Sequence, residues 1–389
     1  MTTDITPREM LARLVAFPTV SRDTNLPLVD FAADHLARCG ATLLRVPDET
    51  GTKASLVARI GPNVPGGVVL SGHTDVVPVD GQDWSTEPWR LVERDGRLYG
   101  RGTADMKGFV ALALALAPRM AAAPLKRPII LALSRDEEVG CVGAPPMIEA
   151  MLAALPRPEA VIVGEPTGMR VVTAHKGGLL LETRARGHEV HSSEIHRGVS
   201  AIMWAARLVT WLDDVMEENR AAAEAGTAGD PAFDPPYTTT HVGTISGGTA
   251  HNITARDCRF LASFRVLPSE DPDAWEARFR AEAERLSAAM RRTRPNTGFA
   301  IERVNLVPSC RPEPRGAAEA LARALTGDNA TNVVSFGTEA GQFQAPGLSA
   351  VVCGPGDIAQ AHQPDEFITL EQFEAGARFM RRLIDRLAA

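Results

Sequence analysis

The chain has little with which to grip nucleic acid, cross a membrane or staple itself with disulfides. Its five cysteines, Cys39, Cys141, Cys258, Cys310 and Cys353, are widely scattered, odd in number and never spaced as CxxC. That excludes a disulfide framework and a thiolate metal site, and reads as reduced, mostly buried thiols of a cytoplasmic protein. Positive charge is not in excess either. Against 48 Asp and Glu stand 41 Lys and Arg, a net −7. A phosphate-binding surface needs a basic face, so a nucleic-acid partner is not expected. The most apolar helix candidate, "GFVALALALA" (108–117), is far shorter than the ~20 residues that span a bilayer. The first twenty residues show early acids and an amphipathic pattern instead of a signal-peptide core. No membrane partner is expected. Internal repeats and low-complexity tracts are also lacking.

What remains is an ordinary globular mixture, 44% hydrophobic and 23% charged over 389 residues, and that length exceeds what one core usually serves. Through about residue 178, short apolar runs alternate with helix-prone stretches. "GGVVLSG" (66–72), "RPIILALS" (127–134) and "EAVIVGEP" (159–166) have the continuous aliphatic character of strands buried on both faces. They predict an α/β domain with a mainly parallel sheet. From about 179 the texture changes. "GLLLETRARG" alternates apolar and polar residues, as a one-sided strand does. A helix follows, with Val199, Ile202, Met203, Ala206, Val209, Leu212 and Met216 assigned to its apolar stripe. Two strands, a second helix near 272–292 and a strand at 298–307 complete the order β-α-β-β-α-β of a ferredoxin-like α+β module. The expected organisation is a catalytic domain in two parts, 1–178 and 308–389, with a lid or dimerisation domain, 179–307, inserted between them.

Three buried strands end in groups that bind metals. "VVLSGHTD" delivers His73 and Asp75, "IILALSRDEE" delivers Glu137 and Glu138, and "AVIVGEPT" delivers Glu165. In a parallel sheet the carboxyl ends of strands share one rim, where ligands bind. "YGRGTADMKGF" adds Asp105 and "AHQPDEF" adds His362. Two imidazoles and several carboxylates with no cysteine suit Zn²⁺ or a similar cation. One or two bound dications would also neutralise the repulsive run Asp136, Glu137, Glu138. Each group alone has a plainer reading: a His after a strand as a hydrogen-bonded loop residue, an acidic pair as a solvated helix start. Their joint placement at the ends of separate buried strands is much harder to reach by chance, and it sets a dinuclear hydrolase level with those plainer readings.

"SGHTDVVPV", "WSTEPWRL", "LYGRGTADMKG", "SRDEEVG", "GEPTGMRVVTAHKG" and "AHQPDEF", in this order, resemble the dizinc amidohydrolases and exopeptidases that include the acetylornithine deacetylases, the succinyl-diaminopimelate desuccinylases and the aminoacylases. The resemblance runs nearly end to end. It implies that His73 and Glu165 bind one metal, Glu138 and His362 the other, and that Asp105 bridges them. The metals implied are two Zn²⁺, with Co²⁺ sharing the same ligand tastes. Asp75 would fix the tautomer of His73, and Glu137 would be the unligated base that moves the proton. A cis peptide at Asp105–Met106 is implied as well. In the inserted module, His191 would reach across a homodimer interface and stabilise the oxyanion in the partner's site. Asn252 and Arg265 would hold the substrate's α-carboxylate.

"VVSFGTEAGQF" (333–343) is most similar to the acetylornithine deacetylases within that group. Gln342 stands where desuccinylases carry an arginine, and Glu339 could face the ammonium of ornithine. The resemblance therefore implies release of acetate from N²-acetyl-L-ornithine in arginine biosynthesis. Another N-acyl amino acid deacylase or a dipeptidase is the alternative within the group. A silent dimeric binding protein is the alternative outside it, disfavoured because such a protein has no use for an unligated base.

Overall fold

The computed structural model describes residues 5–389. They form two compact units: one comprises residues up to Ala174, Cys310–Asn332 and Thr338–Ala389, and the other His175–Ser309 with Val333–Gly337. Where the sequence expectation divides the chain at 178 and 307, these units divide at 174 and 309, and residues 333–337 join the second unit. The reason is local: the Lys176 N–H donates to the Val334 carbonyl, 3.4 Å away, tying that segment to the start of the insert.

In the first unit the chain runs α1 (Pro7–Val15), α2 (Leu26–Arg38), β1 (Thr42–Pro47), β2 (Ala54–Ile60), β3 (Val68–His73), β4 (Val92–Arg94), β5 (Arg97–Tyr99), α3 (Lys107–Ala115), α4 (Ala117–Ala122), β6 (Ile129–Ser134), α5 (Ala144–Ala154), β7 (Ala160–Pro166) and β8 (Val172–His175). The second unit supplies β9 (Gly177–Arg186), α6 (Ala201–Glu224), β10 (Thr239–Gly247), β11 (Asp257–Val266), α7 (Pro272–Thr293) and β12 (Gly298–Val307). The chain closes with α8 (Ala317–Thr326), β13 (Asn332–Val334), α9 (Ala340–Gln344), β14 (Ala350–Gly354), β15 (Phe367–Thr369) and α10 (Leu370–Ala388).

Within the first unit the large sheet runs β1-β2-β6-β3-β7-β14-β8. Its centre is parallel: β3 pairs in parallel with β6 and β7, and β7 with β14. Toward the edges β2 pairs antiparallel with β6, β1 with β2, and β8 with β14. Every residue of β3, β6, β7 and β14 is buried, so both faces of the sheet centre are covered. That is why these strands lack an alternating pattern. Helix α3 is buried from Lys107 to Leu114 and is too apolar to have a solvent face. It packs so closely on β7 that a Cβ at Gly164 would stand 2.2 Å from the Phe109 ring. A three-stranded sheet, β15-β5-β4, pairs Phe367 with Tyr99 and joins two loops distant in sequence.

The second unit has the anticipated β-α-β-β-α-β order, with an antiparallel sheet β10-β11-β9-β12. Its core gathers Phe260, Phe264 and Phe279 with Leu208 and Leu212. Helix α6 is phased differently from the expected stripe. Ala201, Ala205, Leu208, Leu212 and Val215 face inward, while Ile202 and Met203 are exposed. Small alanines at i and i+4 let the helix approach the sheet closely, and that outweighs the hydrophobicity of Ile202 and Met203. No helix among the described residues is long and apolar enough to cross a membrane.

Candidate metal centre

Strand register assembles the site within the first unit. His73 is the last residue of β3 and pairs with Ser134 at the end of β6, so the segment Arg135–Glu138 begins beside it. On the other side Ser71 pairs with Val163. Two residues further on, Glu165 therefore comes level with His73, because neighbours in register share a rim. Asp105 arrives on the loop before α3, and the Asp105–Met106 peptide is cis. His362 follows β14 with φ +63°, a left-handed conformation uncommon outside glycine. Asp136 (φ +54°) and Cys141 (φ +56°) share that conformation.

The five residues expected to bind metal converge. His73 Nε2 lies 2.9 Å from Asp105 Oδ1 and 3.7 Å from Glu165 Oε1. His362 Nε2 lies 3.2 Å from Asp105 Oδ2 and 2.9 Å from Glu138 Oε2. One oxygen of Asp105 thus faces each histidine, as a bridging carboxylate requires. Ligand atoms of His73, Asp105 and Glu138 fall within 4.8 Å of one another, and so do those of His73, Glu137 and Glu165. The donor set, two imidazoles with carboxylates and no sulfur, suits divalent cations of the zinc type. Glu138 Oε1 is buried without a hydrogen-bond partner, an acceptor that a cation would satisfy. The residues present fit a metal centre.

Electrostatics agree. Burial pushes the Glu137 carboxyl up to about 8, with Glu138 and Glu339 adding repulsion. Burial, with Asp105 beside it, pushes Glu138 up to about 7. Burial also drives Glu165 well above the usual carboxylate range. Hydrogen bonds to Asp105 and Glu138 raise His362 to about 10. Burial would lower His73, but Asp105 and Glu165 lift it well above the ordinary imidazole value. Without cations, this site must hold protons to limit its own repulsion.

The acidic run resolves unevenly. Asp136 turns away to Lys53 and Arg135, which neutralise it, so only Glu137 and Glu138 are left for cations to offset. Asp75 differs from expectation in detail. The group at His73 Nδ1 is the main-chain oxygen of Asp75, 2.8 Å away, while its carboxylate is 3.8 Å distant. That carboxylate accepts instead from Ser21 Oγ (2.7 Å) and from the N–H groups of Glu137 (3.0 Å) and Glu138 (3.2 Å). It thereby holds the strand end that carries both glutamates. Glu137 Oε1 accepts from the Cys141 thiol at 3.1 Å. Glu339 is buried and accepts from Ser71 Oγ at 3.0 Å.

His191, Asn252 and Arg265 belong to the second unit, and all three are exposed. The first two share a loop cluster, where the Ser192 N–H donates to the Asn252 carbonyl. His191 Nδ1 accepts from the Ser193 N–H at 3.3 Å and lies 2.8 Å from Ser193 Oγ. Arg265 sits on β11 opposite Thr239. Sequence reasoning missed Lys53, Cys141, Arg101 and Glu366. Only the last two lay inside quoted motifs, as the buried arginine of "GRG" and the final acid of "AHQPDEF".

A parallel-centred sheet with histidines and carboxylates gathered at its rim, interrupted by a ferredoxin-like insert, defines a metal-dependent hydrolase. The fold is that of an M20 family metallo-carboxypeptidase, Sso-CP2 from Sulfolobus solfataricus, with TM-score 0.77 at 18% identity over 98% of this chain and 99% of that one. The chain belongs to peptidase family M20/M25/M40, whose model matches residues 69–386. The acetylornithine deacetylase of Myxococcus xanthus is 39% identical over 371 residues, 94% of this chain and 93% of its own length. That of Proteus mirabilis is 32% identical over 399 residues, 97% of this chain and 95% of its own.

Proposed function

We propose that this chain hydrolyses N²-acetyl-L-ornithine to L-ornithine and acetate, a step of arginine biosynthesis, in the cytoplasm. The observation that carries the reading is Asp105 set between two histidines with Glu137 beside them; the similarity to acetylornithine deacetylases points to the substrate. His73 and Glu165 would hold one cation, Glu138 and His362 the other, and Asp105 both. Two Zn²⁺ are proposed, with Co²⁺ acceptable to the same donors. Bound cations supply Lewis acidity, polarising the acyl carbonyl and making water a nucleophile near neutral pH. Glu137 accepts the proton of the attacking water at its carboxylate. The new carbon–oxygen bond forms, the carbon–nitrogen bond breaks, and Glu137 returns the proton to the departing amine. Left unligated beside the cations, its carboxylate is free both to take a proton and to give one back.

Asn252 and Arg265 are proposed to hold the α-carboxylate, and Glu339 to set the charge preference for the ornithine ammonium. His191 is proposed to donate its Nε2 proton to the oxyanion in the partner subunit of a homodimer. Exposed Ile202, Met203 and Ile245 in the second unit support an interface there, as does β10 at an edge of its sheet. Mixing Glu137→Gln and His191→Ala subunits tests this arrangement. Each parent homodimer should be nearly inactive, while mixed dimers should regain activity, because one site then holds both groups. Mixtures no more active than their parents would exclude action across the interface.

A steady-state panel of acetyl, succinyl and dipeptide substrates on zinc-loaded protein tests the reaction. Acetylornithine should give the highest kcat/KM. A dipeptide or succinylated substrate in first place would replace the proposed activity with the alternative named above.

A further inference from the structure

Glu366 is an acid with no place in the ligand set, yet it is 1% exposed and wholly surrounded by donors. Its Oε1 accepts from the N–H groups of Ala104 (2.9 Å) and Asp105 (3.0 Å). Its Oε2 accepts from the Gly102 N–H (2.9 Å) and from Arg101 Nη1 (2.7 Å). Arg101, equally buried, turns back to the His362 side of the centre. It donates to the Gln363 carbonyl (3.3 Å) and to Gln82 Oε1 (2.6 Å), and Gln82 Nε2 donates to the His362 carbonyl (2.9 Å). The β5–β15 pairing, Tyr99 with Phe367, fastens the same two loops as well.

We infer that Glu366 is a positioning residue that locks the Asp105 loop to the His362 segment and so fixes the spacing of the proposed two-cation centre. The inference rests on the metal-centre reading. Three main-chain N–H groups and a guanidinium make the site one for a carboxylate with both oxygens accepting. An amide in its place must turn an NH₂ toward donors, which breaks half of the clamp without changing side-chain size. Asp105 contributes to both cations, but the Arg101–Gln82 branch reaches only His362. The heavier loss should therefore fall on the cation held by Glu138, His362 and Asp105.

The test titrates Zn²⁺ alone into full-length, chelator-stripped protein against a chromophoric chelator, with thermal melts of the same stripped samples. Wild type should take two equivalents. Glu366→Gln should still fold and should bind one equivalent about 10–100-fold more weakly, the usual size of an outer-partner loss. Gln82→Ala, at a half-buried position, should fold and weaken that same equivalent by at least about threefold. Met380→Ala, a core truncation on α10, controls for general destabilisation: it should melt lower with unchanged zinc affinity. Both equivalents within about threefold of wild type in Glu366→Gln would overturn the inference, as would equal weakening in Met380→Ala. Should Glu366→Gln fail to fold, an unchanged Gln82→Ala would overturn it. Fewer than two equivalents in wild type would overturn the metal-centre reading itself and this inference with it.

Discussion

At the scale of single residues, the difficulty at this site is telling a base from a ligand. Glu137 and Glu138 are neighbours, both half-buried beside His73, and proximity alone would let either bind a cation. Their other contacts separate them. Glu138 Oε2 meets His362 at 2.9 Å. Glu137 has no histidine within salt-bridge reach among the described residues and accepts from the Cys141 thiol instead. Glu137→Gln keeps shape and removes only proton affinity. It should therefore retain both zinc equivalents while kcat falls by about 10²–10⁴, the typical worth of a general base. Metal content by elemental analysis and turnover on acetylornithine check this together. Loss of one zinc would make Glu137 a ligand, and retained turnover with full metal would remove it from the chemistry.

At the scale of elements, much of the architecture was legible because buried strands advertise themselves. The runs containing Val68–His73, Ile129–Ser134 and Ala160–Pro166 are continuous in apolar residues, and each is a wholly buried strand. Their endings in His73, Glu137 with Glu138, and Glu165 were legible for the same reason: a parallel centre sends all carboxyl ends to one rim. Antiparallel β1, β2 and β8 at the flanks were not legible, since pairing direction leaves no mark on a short apolar run. The phase of α6 misled because apolarity was counted without size; Ala201 and Ala205 pack inward while Met203 stays outside. One partner of Asp136 was hidden by distance, Lys53 lying 83 positions away on another loop. Asp75 was recognised as a neighbour of His73, but its carboxylate serves the Glu137 and Glu138 N–H groups. Nothing in the spacing His73-x-Asp75 separates a side-chain partner from a main-chain one.

At the scale of the whole molecule, the crowded carboxylates tie stability to pH and metal together. In the metal-free chain, burial raises Glu137 from an ordinary 4.5 to about 8 and Glu138 to about 7. Folding then takes up protons that the unfolded chain has already released. This contribution is full below about 4.5 and is lost as pH climbs through 7 and 8. His362, raised from 6.5 to about 10 by Asp105 and Glu138, acts in the same sense, its contribution fading as pH rises from 6.5 to 10. Asp105 is held below its ordinary 3.8 mainly by hydrogen bonds from His362 and His73 that outweigh burial, so its contribution is present throughout and lost only in strong acid. Between pH 5 and 8 the site's own contribution to the stripped protein therefore declines. Cations reverse the sign, because they bind ionised carboxylates and neutral imidazoles and displace the protons. Thermal melts of chelator-stripped and zinc-loaded protein at pH 5, 6.5 and 8 should show a gap in Tm that widens steadily with pH. Zinc binding near pH 7 should release protons, seen as a dependence of the measured heat on buffer ionisation enthalpy. A gap that stayed constant or narrowed would mean that the buried acids are neutralised by something other than bound cations, and the mutual spacing of His73, Asp105, Glu138, Glu165 and His362 would then need a different cause.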